Sequence, residues 1–393
     1  MKRSTQRILT THAGSLPRPD DLIALNVARL SGNAYDERAY SERLASAVAD
    51  ICRRQAELGI DVINDGEFGK ATRGPVDYGA WQSYAWGRIS GWEYGPVRDM
   101  PQTVGRRDRV KFADFYRELN QNNQTSTTPM SGRPQVVTAP ITFTGHDELR
   151  VDLENFKAAL GKVRAEEGFI TSIAPGSLGR RQNEYYKSDE EYLFAMAEAL
   201  REEYRAIVEA GFVLQLDDPG LADTWDLANP EPTVAEYRKF AMVRIEALNH
   251  GLRGLPEDRI RYHICWGSWH GPHSTDLPLK DIGEVMLKVR AGAFSVEAGN
   301  VRHEHEWKLW RDGLKLPDGK LLIPGVVSHA TNVVEHPEVV ADRILRYAEV
   351  VGRENVIAGT DCGLGGRIHP QLVWAKLEAL VAGAEIASRQ LWR

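Results

Sequence analysis

Two residues with the chemistry of metal ligands, His263 and Cys265, lie two positions apart in the segment RIRYHICW (259–266). In a β-strand, side chains two positions apart point to the same face of the sheet. Zinc binds thiolate and imidazole groups well and usually takes four ligands in a tetrahedron. The pair therefore indicates half of a zinc site.

Two further residues complete a four-ligand set. Glu297 closes the run AFSVE, Cys362 follows the run NVIAGTD, and both adjoin turns that contain glycine. Carboxylates and thiolates both bind zinc, so the expected ligands are His263, Cys265, Glu297 and Cys362. The third cysteine, Cys52, lies in a helical pattern and is expected to be a small buried core residue.

Other polar or small residues lie where apolar runs end, and they are Gly14, Ser15, Glu67, Asp217, His329 and Asp361. In a barrel of parallel strands, active sites form at the carboxyl ends of the strands. These residues are therefore candidates for binding and catalysis. Two histidine pairs, HGPH (270–273) and HEH (303–305), lie beyond strand ends in charged loops, and we do not expect them to bind metal.

Short apolar or β-branched runs, with helical patterns between most of them, must position these residues. The runs span 7–15, 61–67, 135–141, 169–177, 212–219, 259–266, 293–300, 321–329 and 355–363. Such alternation is typical of a buried parallel sheet. Eight units closing on themselves form a (β/α)8 TIM barrel of about 250 residues, with the surplus in insertions. One of the nine runs must then lie outside the barrel, and the sequence leaves open which.

A doubly wound open sheet is the alternative α/β fold. It is disfavoured because no G-x-G-x-x-G motif opens a helix after the first run. Three segments carry clear helical signals, 41–59, 188–211 and 336–352, and each ends at a glycine. We therefore expect residues 1–393 to form a single barrel domain. The longest irregular stretch, 84–135, follows the second run and is expected to be an insertion that caps the carboxyl-terminal mouth.

The composition is that of a globular protein without special surface chemistry. Of 393 residues, 42% are apolar and 26% are charged, and the net charge is −6. No dense basic stripe indicates a nucleic-acid partner, and no apolar run approaches the roughly 18 residues that span a membrane. Three scattered cysteines do not form a disulfide framework. A cytoplasmic protein with reduced thiols is expected, and the oligomeric state is left open.

Seven motifs, in order, resemble the catalytic half of cobalamin-independent methionine synthase, within the larger group of uroporphyrinogen decarboxylase-like barrels. They are TTHAGSLPRP, DVINDGE, LQLDDPGL, HIC, SVEAGN, VVSHAT and DCGLGGR. The resemblance runs from residue 8 to about residue 370. It implies Zn²⁺ on His263, Cys265, Glu297 and Cys362, and methyl transfer to a homocysteine thiol that zinc holds as a thiolate.

The resemblance also implies roles for the other strand-end residues. The Gly14–Ser15 backbone would hold an amino-acid thiol, Glu67 and Asp217 would receive its ammonium group, and His329 would handle the proton. A free thiol has a pKa of roughly 8.5, so a metal is needed to hold it as thiolate at neutral pH. The partners implied are a small-molecule thiol and an alkyl donor, with methyltetrahydrofolate as the donor in methionine synthases.

Departures from the family pattern leave the thiol and the donor open. FGKATRG follows DGE where methionine synthases have a Pro-Glu-Arg-Asn-Asp-like sequence, and WGSWHG follows HIC in place of an aromatic-Ser-Glu-Phe sequence. Short relatives include epoxyalkane:coenzyme M transferase, in which a similar thiolate opens an epoxide. Five basic residues near strand ends could meet an acidic tail, although solvated loop positions are the commoner explanation for each: Arg18, Lys70, Arg73, Arg180 and Arg181.

Two other classes of function remain as alternatives. A decarboxylase of the related barrel group needs no metal, so the four-ligand set argues against it. A non-catalytic protein with a structural zinc site would use all four metal positions and leave no room for substrate. Expected ligands at a barrel mouth, beside Glu67 and Asp217, favour an enzyme.

Overall fold

Thirteen strands and fourteen α-helices make up the part of the chain that the structure, a computed structural model, describes: residues 1–72, 74, 80–96, 98–99, 106–121 and 131–393. The strands are β1 (Leu9–Thr10), β2 (Val62–Ile63), β3 (Trp92–Tyr94), β4 (Arg98–Asp99), β5 (Ser131–Gly132), β6 (Gln135–Val137), β7 (Glu167–Ile173), β8 (Gln182–Asn183), β9 (Val213–Asp217), β10 (Ile260–His263), β11 (Ala293–Glu297), β12 (Leu321–Val327) and β13 (Ile357–Thr360).

The helices surround the strands. They are α1 (Asp20–Leu30), α2 (Glu37–Leu58), α3 (Ala80–Gly87), α4 (Arg106–Lys111), α5 (Ala113–Gln121), α6 (His146–Leu160), α7 (Pro175–Leu178), α8 (Asp189–Glu209), α9 (Gly220–Leu227), α10 (Val234–Gly251), α11 (Leu279–Met286), α12 (Trp307–Asp312), α13 (Pro337–Val351) and α14 (Pro370–Leu391). Among the described residues, none of these helices is both long and apolar enough to cross a membrane.

Eight parallel strands form the central sheet, in the order β1-β13-β12-β11-β10-β9-β7-β2. The two end strands also meet, because the Asp61 N–H donates to the Thr10 carbonyl oxygen at 3.2 Å. The sheet is thus a nearly closed barrel. The residues of β10, β11, β12 and β13 are all buried, as expected when a sheet is covered on both faces. The prediction of a (β/α)8 barrel is confirmed.

The extra run is 135–141. Its strand, β6, pairs antiparallel with β3 and parallel with β8 in a separate three-stranded sheet. Val137 is fully buried there and lies opposite Trp92 in the register. An apolar run packed in this small sheet looks the same in sequence as a barrel strand, which is why the pattern left the choice open.

The long connection between β2 and β7 contains this small sheet and several helices. Part of the predicted 84–135 insertion, including 122–130, lies outside the described residues. Its described helices contact the loops after β9 and β10. Trp269 donates from Nε1 to the Tyr116 hydroxyl at 3.0 Å, and Ser274 donates from N to the Asp108 carboxylate at 3.1 Å. The capping role of this segment stays a prediction.

The three predicted helices are present as α2, α8 and α13. Helix α2 begins earlier than the apolar pattern indicates, because the Asp36 carboxylate accepts hydrogen bonds from two backbone N–H groups of the first turn. It ends at Gly59, whose φ of 93° lies in the left-handed region. In α8 the Ser188 hydroxyl accepts from the Glu191 N–H at 3.1 Å. Local capping chemistry therefore sets these boundaries.

A buried imidazole–carboxylate pair ties the loop after β10 to the loop after β11. His303 contacts Asp276 through Nε2 at 3.1 Å and Glu306 through Nδ1 at 2.9 Å. Its ring stacks on Trp266, with ring centroids 3.9 Å apart. Against the opposing effect of burial, the two carboxylates raise the pKa of His303 to about 10. A charged imidazolium between two carboxylates therefore holds the two loops together.

A close approach of β12 to the end of β13 requires a glycine. A Cβ at Gly325 would lie 2.5 Å from the backbone N of Asp361, nearer than real Cβ atoms come to other atoms. The Asp361 carboxylate in turn accepts hydrogen bonds from the Ala298 and Gly299 N–H groups at 2.7 and 2.8 Å. Three neighbouring strand ends are locked together at this point.

Replacing Gly325 with alanine should therefore displace Asp361 and destabilise the fold. We expect Gly325→Ala to lower the free energy of unfolding by about 1–3 kcal/mol, the usual cost of overpacking a core. Gly313→Ala is the matched control, because a Cβ at Gly313 would meet no atom within 4 Å. Urea titration of both variants gives the comparison, and equal stabilities would contradict the close approach.

The raised pKa of His303 predicts a loss of stability at alkaline pH. A histidine whose folded pKa is raised stabilises the fold fully below its unfolded pKa of about 6.5, and that contribution disappears as pH rises toward 10. Between pH 7 and 9.5 the free energy of unfolding should fall by roughly 2–4 kcal/mol more in the wild type than in His303→Gln. His305→Gln, at an exposed neighbour, should behave as the wild type. Parallel pH profiles for wild type and His303→Gln would refute this assignment.

Candidate metal centre and active site

Three of the four predicted metal ligands come together at the mouth of the barrel. One potential ligand atom from each of His263, Cys265 and Cys362 lies within 4.8 Å of the others, and all three residues are buried. The two Sγ atoms are 3.9 Å apart. Two sulfurs on one tetrahedral zinc ion, each at about 2.3 Å, would lie about 3.8 Å apart. The spacing of the thiols therefore fits a zinc ion.

The His263 ring is oriented for a metal. Its Nδ1 atom contacts the Ser295 hydroxyl at 3.1 Å, on the neighbouring strand β11. Its Nε2 atom is buried and has no hydrogen-bond partner among the described residues. A metal-binding histidine commonly uses one nitrogen for the metal and the other for a second contact that fixes the ring. The buried Nε2 atom without a partner is thus consistent with a ligand position.

The two thiols differ in their environment. The Ser268 hydroxyl donates to Cys362 Sγ at 2.9 Å. The contact with Cys265 and the charge of Arg367 lower the pKa of Cys362 against the effect of burial. The same thiol–thiol contact, together with burial, raises the pKa of Cys265. The two thiols therefore influence each other's ionisation, and their contact favours a pair with one thiolate.

Glu297 lies outside the three-residue group and is held by hydrogen bonds. Its Oε1 atom accepts from the Trp266 N–H at 2.9 Å, and its Oε2 atom accepts from the Asn300 side chain at 2.6 Å. Burial and the charges of Asp361 and Cys362 raise the pKa of Glu297 to about 8. Its role as the fourth ligand stays a prediction.

Residues around these ligands were missed by sequence reasoning or given no role. Asn300 bridges Glu297 and Asp361, with its Nδ2 atom 2.6 and 3.1 Å from their carboxylates. Burial raises the pKa of Asp361 to about 6, although three hydrogen bonds to its carboxylate oppose the shift. Asn300 and Ser295 lie in the quoted motif SVEAGN, so proximity in sequence to Glu297 was an available signal. No signal in the sequence pointed to Ser268.

The predicted thiol-binding residues lie beside the loop that carries Cys362. The Ser15 carbonyl oxygen accepts hydrogen bonds from the N–H groups of Leu364 and Gly365 at 3.0 and 2.9 Å. Gly14 has a φ of 132°, and a Cβ there would collide with Oε1 of Glu67. The backbone after β1 therefore passes between the Glu67 carboxylate and the Cys362 loop, as a substrate-holding segment would.

A buried lysine lies against Glu67, one of the two predicted ammonium ligands; the other is Asp217. Lys70 Nζ lies 3.6 Å from Glu67 Oε1 and donates to the Thr171 hydroxyl at 2.5 Å. Burial raises the pKa of Asp217 to about 7, while His263 and Lys70 oppose the shift. The sequence did not distinguish Lys70 from the other loop cations. Of those, Arg73 lies outside the described residues.

His329 follows β12 and is buried. Burial lowers the pKa of His329 to about 3; the nearby Cys362 opposes this shift and Arg367 adds to it. Its Nδ1 atom has no hydrogen-bond partner among the described residues. The structure thus holds a neutral imidazole near the Cys362 thiol, and its function in proton transfer stays a prediction.

Known proteins resemble this chain over nearly its full length. It is 25% identical over 386 residues to methionine synthase of Thermococcus kodakarensis, which covers 98% of this chain and 94% of that protein. It is 24% identical over 413 residues to 2-hydroxypropyl-CoM lyase of Xanthobacter autotrophicus, and this match covers 98% of this chain and 96% of that protein.

A solved structure and a family profile also match this chain. A B12-independent methionine synthase from a Shewanella species, solved in complex with selenomethionine, has a TM-score of 0.70 at 19% identity and covers 98% of this chain and 99% of that one. A sequence profile described as cobalamin-independent synthase, catalytic domain, matches residues 105–386. The chain therefore belongs to the cobalamin-independent methionine synthase family, whose catalytic domain it matches over most of its length.

Proposed function

We propose that this protein is a zinc-dependent thiol alkyltransferase that moves a methyl or related alkyl group onto the sulfur of a small thiol. One observation carries the proposal: the buried group of His263, Cys265 and Cys362 at the mouth of a methionine-synthase-type barrel. Membership of the family supports thiol methyl transfer as the reaction class. A metal-free decarboxylase would have no use for two thiols and an imidazole so arranged.

Zinc at this position would be held by these three residues, with Glu297 as the proposed fourth ligand. A bound zinc ion would lower the pKa of the substrate thiol and so keep its sulfur nucleophilic at neutral pH. The hydrogen bonds of Ser295 to His263 and of Asn300 to Glu297 would fix ligand orientation.

The other residues would bind the thiol and handle its proton. The Gly14–Ser15 backbone, Glu67 and Asp217 would surround the tail of the thiol. His329 would carry the proton that the thiol loses. When the new carbon–sulfur bond forms and the bond from that carbon to the leaving atom breaks, His329 would return the proton to the leaving atom.

The described part of the insertion would exclude water from this site. Helices α4 and α5 contact the loop after β10 through Asp108 and Tyr116. Arg106 of α4 also donates to the Ala228 carbonyl oxygen, in the connection after β9, at 3.1 Å. Both loops begin at the carboxyl ends of barrel strands, where the reaction would occur. A cover at this end would strengthen electrostatic interactions inside the site.

Epoxide opening is the second candidate reaction. The relative named 2-hydroxypropyl-CoM lyase matches this chain nearly as well as the methionine synthases do. An epoxide is an alkyl donor whose leaving oxygen stays attached to the product and needs a proton. The proposed roles of zinc and His329 would be the same in both reactions. Product analysis by mass spectrometry, after incubation of zinc-loaded protein with thiols and with methyl or epoxide donors, separates them.

The metal proposal predicts the zinc content of cysteine variants. Purified protein should contain about one zinc per chain, and Cys265→Ser or Cys362→Ser should lose both zinc and turnover. Cys52→Ser is the matched control, because Cys52 is buried in α2 away from the group and contacts the Asn64 carbonyl. Inductively coupled plasma mass spectrometry measures the metal. Full zinc occupancy in the Cys362 variant would remove that residue from the site, and a wild type unable to bind zinc would favour the decarboxylase alternative.

The proposed proton transfer predicts the behaviour of His329→Asn. Turnover should fall by about 10²–10⁴-fold, the usual contribution of acid–base catalysis, while zinc content and thiol binding stay near wild type. The loss should be smaller with a donor whose leaving group needs no proton. His146→Asn, at an exposed histidine on α6, should change neither rate. Equal losses with both donors would mean that His329 orients substrate instead.

A further inference from the structure

The ammonium group of Lys70 lies beside Glu67, one of the two carboxylates proposed to receive a substrate ammonium. We infer that Glu67 is committed to the ammonium of Lys70 in this protein, and that its substrate is a thiol without an α-amino group. The inference rests on the proposed function, because it describes the tail of the thiol whose sulfur the metal centre would take.

The Lys70 ammonium is enclosed by protein. The side chains of Lys70 and Glu67 are each 7% exposed, and Nζ lies 3.6 Å from Glu67 Oε1. It also donates to the Thr171 hydroxyl at 2.5 Å and lies 4.5 Å from the centre of the Tyr84 ring. A carboxylate, a hydroxyl and an aromatic face are the groups that recognise an alkylammonium ion. The protein thus supplies both the cation and its binding site.

Both carboxylates are already engaged. Thr171 donates its hydroxyl to Glu67 Oε1 at 2.8 Å, so the oxygen that faces Lys70 accepts a second contact. Gln215 donates from Nε2 to Asp217 Oδ1 at 2.6 Å. Each carboxylate thus already has a polar partner within the protein, which weakens its attraction for a substrate ammonium.

The backbone fixes Lys70 in this position. The Lys70 N–H donates to the Glu67 carbonyl oxygen at 3.1 Å, which closes a tight turn directly after the predicted binding carboxylate. Arg18 donates to the carbonyl oxygens of Glu67 and Lys70 at 2.5 and 3.1 Å. A Cβ at Gly69 would collide with the Asp152 carboxylate. The turn is therefore pinned from both sides, and the lysine cannot leave the site by a simple shift of the loop.

An α-amino thiol would meet an unfavourable charge in this space. Like charges a few ångströms apart repel, and burial makes both more costly because solvent cannot screen them. An aminothiol would have to expel Lys70 from its partners or lose its own proton. A thiol with the same chain and no amino group can bind without displacing Lys70 and without losing a proton from an amino group.

A matched pair of thiols tests the inference. Homocysteine and 4-mercaptobutyrate have the same chain and carboxylate and differ only in the amino group. Isothermal titration of zinc-loaded wild-type protein should show at least tenfold tighter binding of 4-mercaptobutyrate. Methionine and 4-(methylthio)butanoate, which lack a thiol and report on the tail alone, should show the same preference. Tighter binding of homocysteine would overturn the inference and leave the proposed function intact.

Lys70 variants identify the residue responsible. Lys70→Gln removes the charge and should reduce the preference for 4-mercaptobutyrate at least tenfold, whereas Lys70→Arg should keep it. Lys320→Gln is the control, because it removes a lysine paired with Glu257 at the opposite end of the barrel. An unchanged preference in Lys70→Gln would overturn the inference. If zinc-loaded protein bound neither thiol, that result would contradict the proposed function itself and not only the inference about Lys70. The comparison of homocysteine with 4-mercaptobutyrate in the wild-type protein tests the inference even if a Lys70 variant does not fold.

Discussion

Asp361 joins three neighbouring strand ends, and the arrangement of the candidate site depends on this residue. Its N–H donates to the Val327 carbonyl oxygen at the end of β12 at 2.9 Å, and its carboxylate contacts the segment after β11. It accepts the N–H groups of Ala298 and Gly299 and the side chain of Asn300, which also holds Glu297. Because Asp361 directly precedes Cys362, the thiol and the Glu297 carboxylate cannot be positioned independently. A buried acid satisfied by backbone N–H groups is a rigid support, and rigid support is what a metal ligand set needs.

Buried charges at the mouth are balanced by partners that the protein provides. His303 lies between two carboxylates, and Lys70 lies against Glu67. Where no full partner is present, burial shifts the acid toward its neutral form, as at Asp217 and Glu297. A site of this kind interacts strongly with any charge that a substrate brings, because little water screens it. Under our proposal, the charge already present selects the substrate.

One long connection, between β2 and β7, builds a whole side of the site. It supplies Glu67 and Lys70 at its start, Tyr84 in α3, and the helices that contact the loops after β9 and β10. The strands opposite supply the potential metal ligands. Relatives match the chain over nearly its full length, so a change of thiol or donor within the family requires changes in loops and no new domain. Our proposal places one such change at Lys70.

Local sequence determined the barrel, the helix boundaries and the common face of His263 and Cys265, because strand period, capping and apolar runs are properties of neighbouring residues. The motif order also indicated Cys362 as their partner, and the structure places it there. Only tertiary structure decided that run 135–141 lies outside the barrel and that Glu297 accepts hydrogen bonds from Trp266 and Asn300. It also decided the burial of Lys70, whose partner Thr171 is 101 residues away in the chain. Burial and charge pairing depend on residues distant in sequence, so no local pattern contains them.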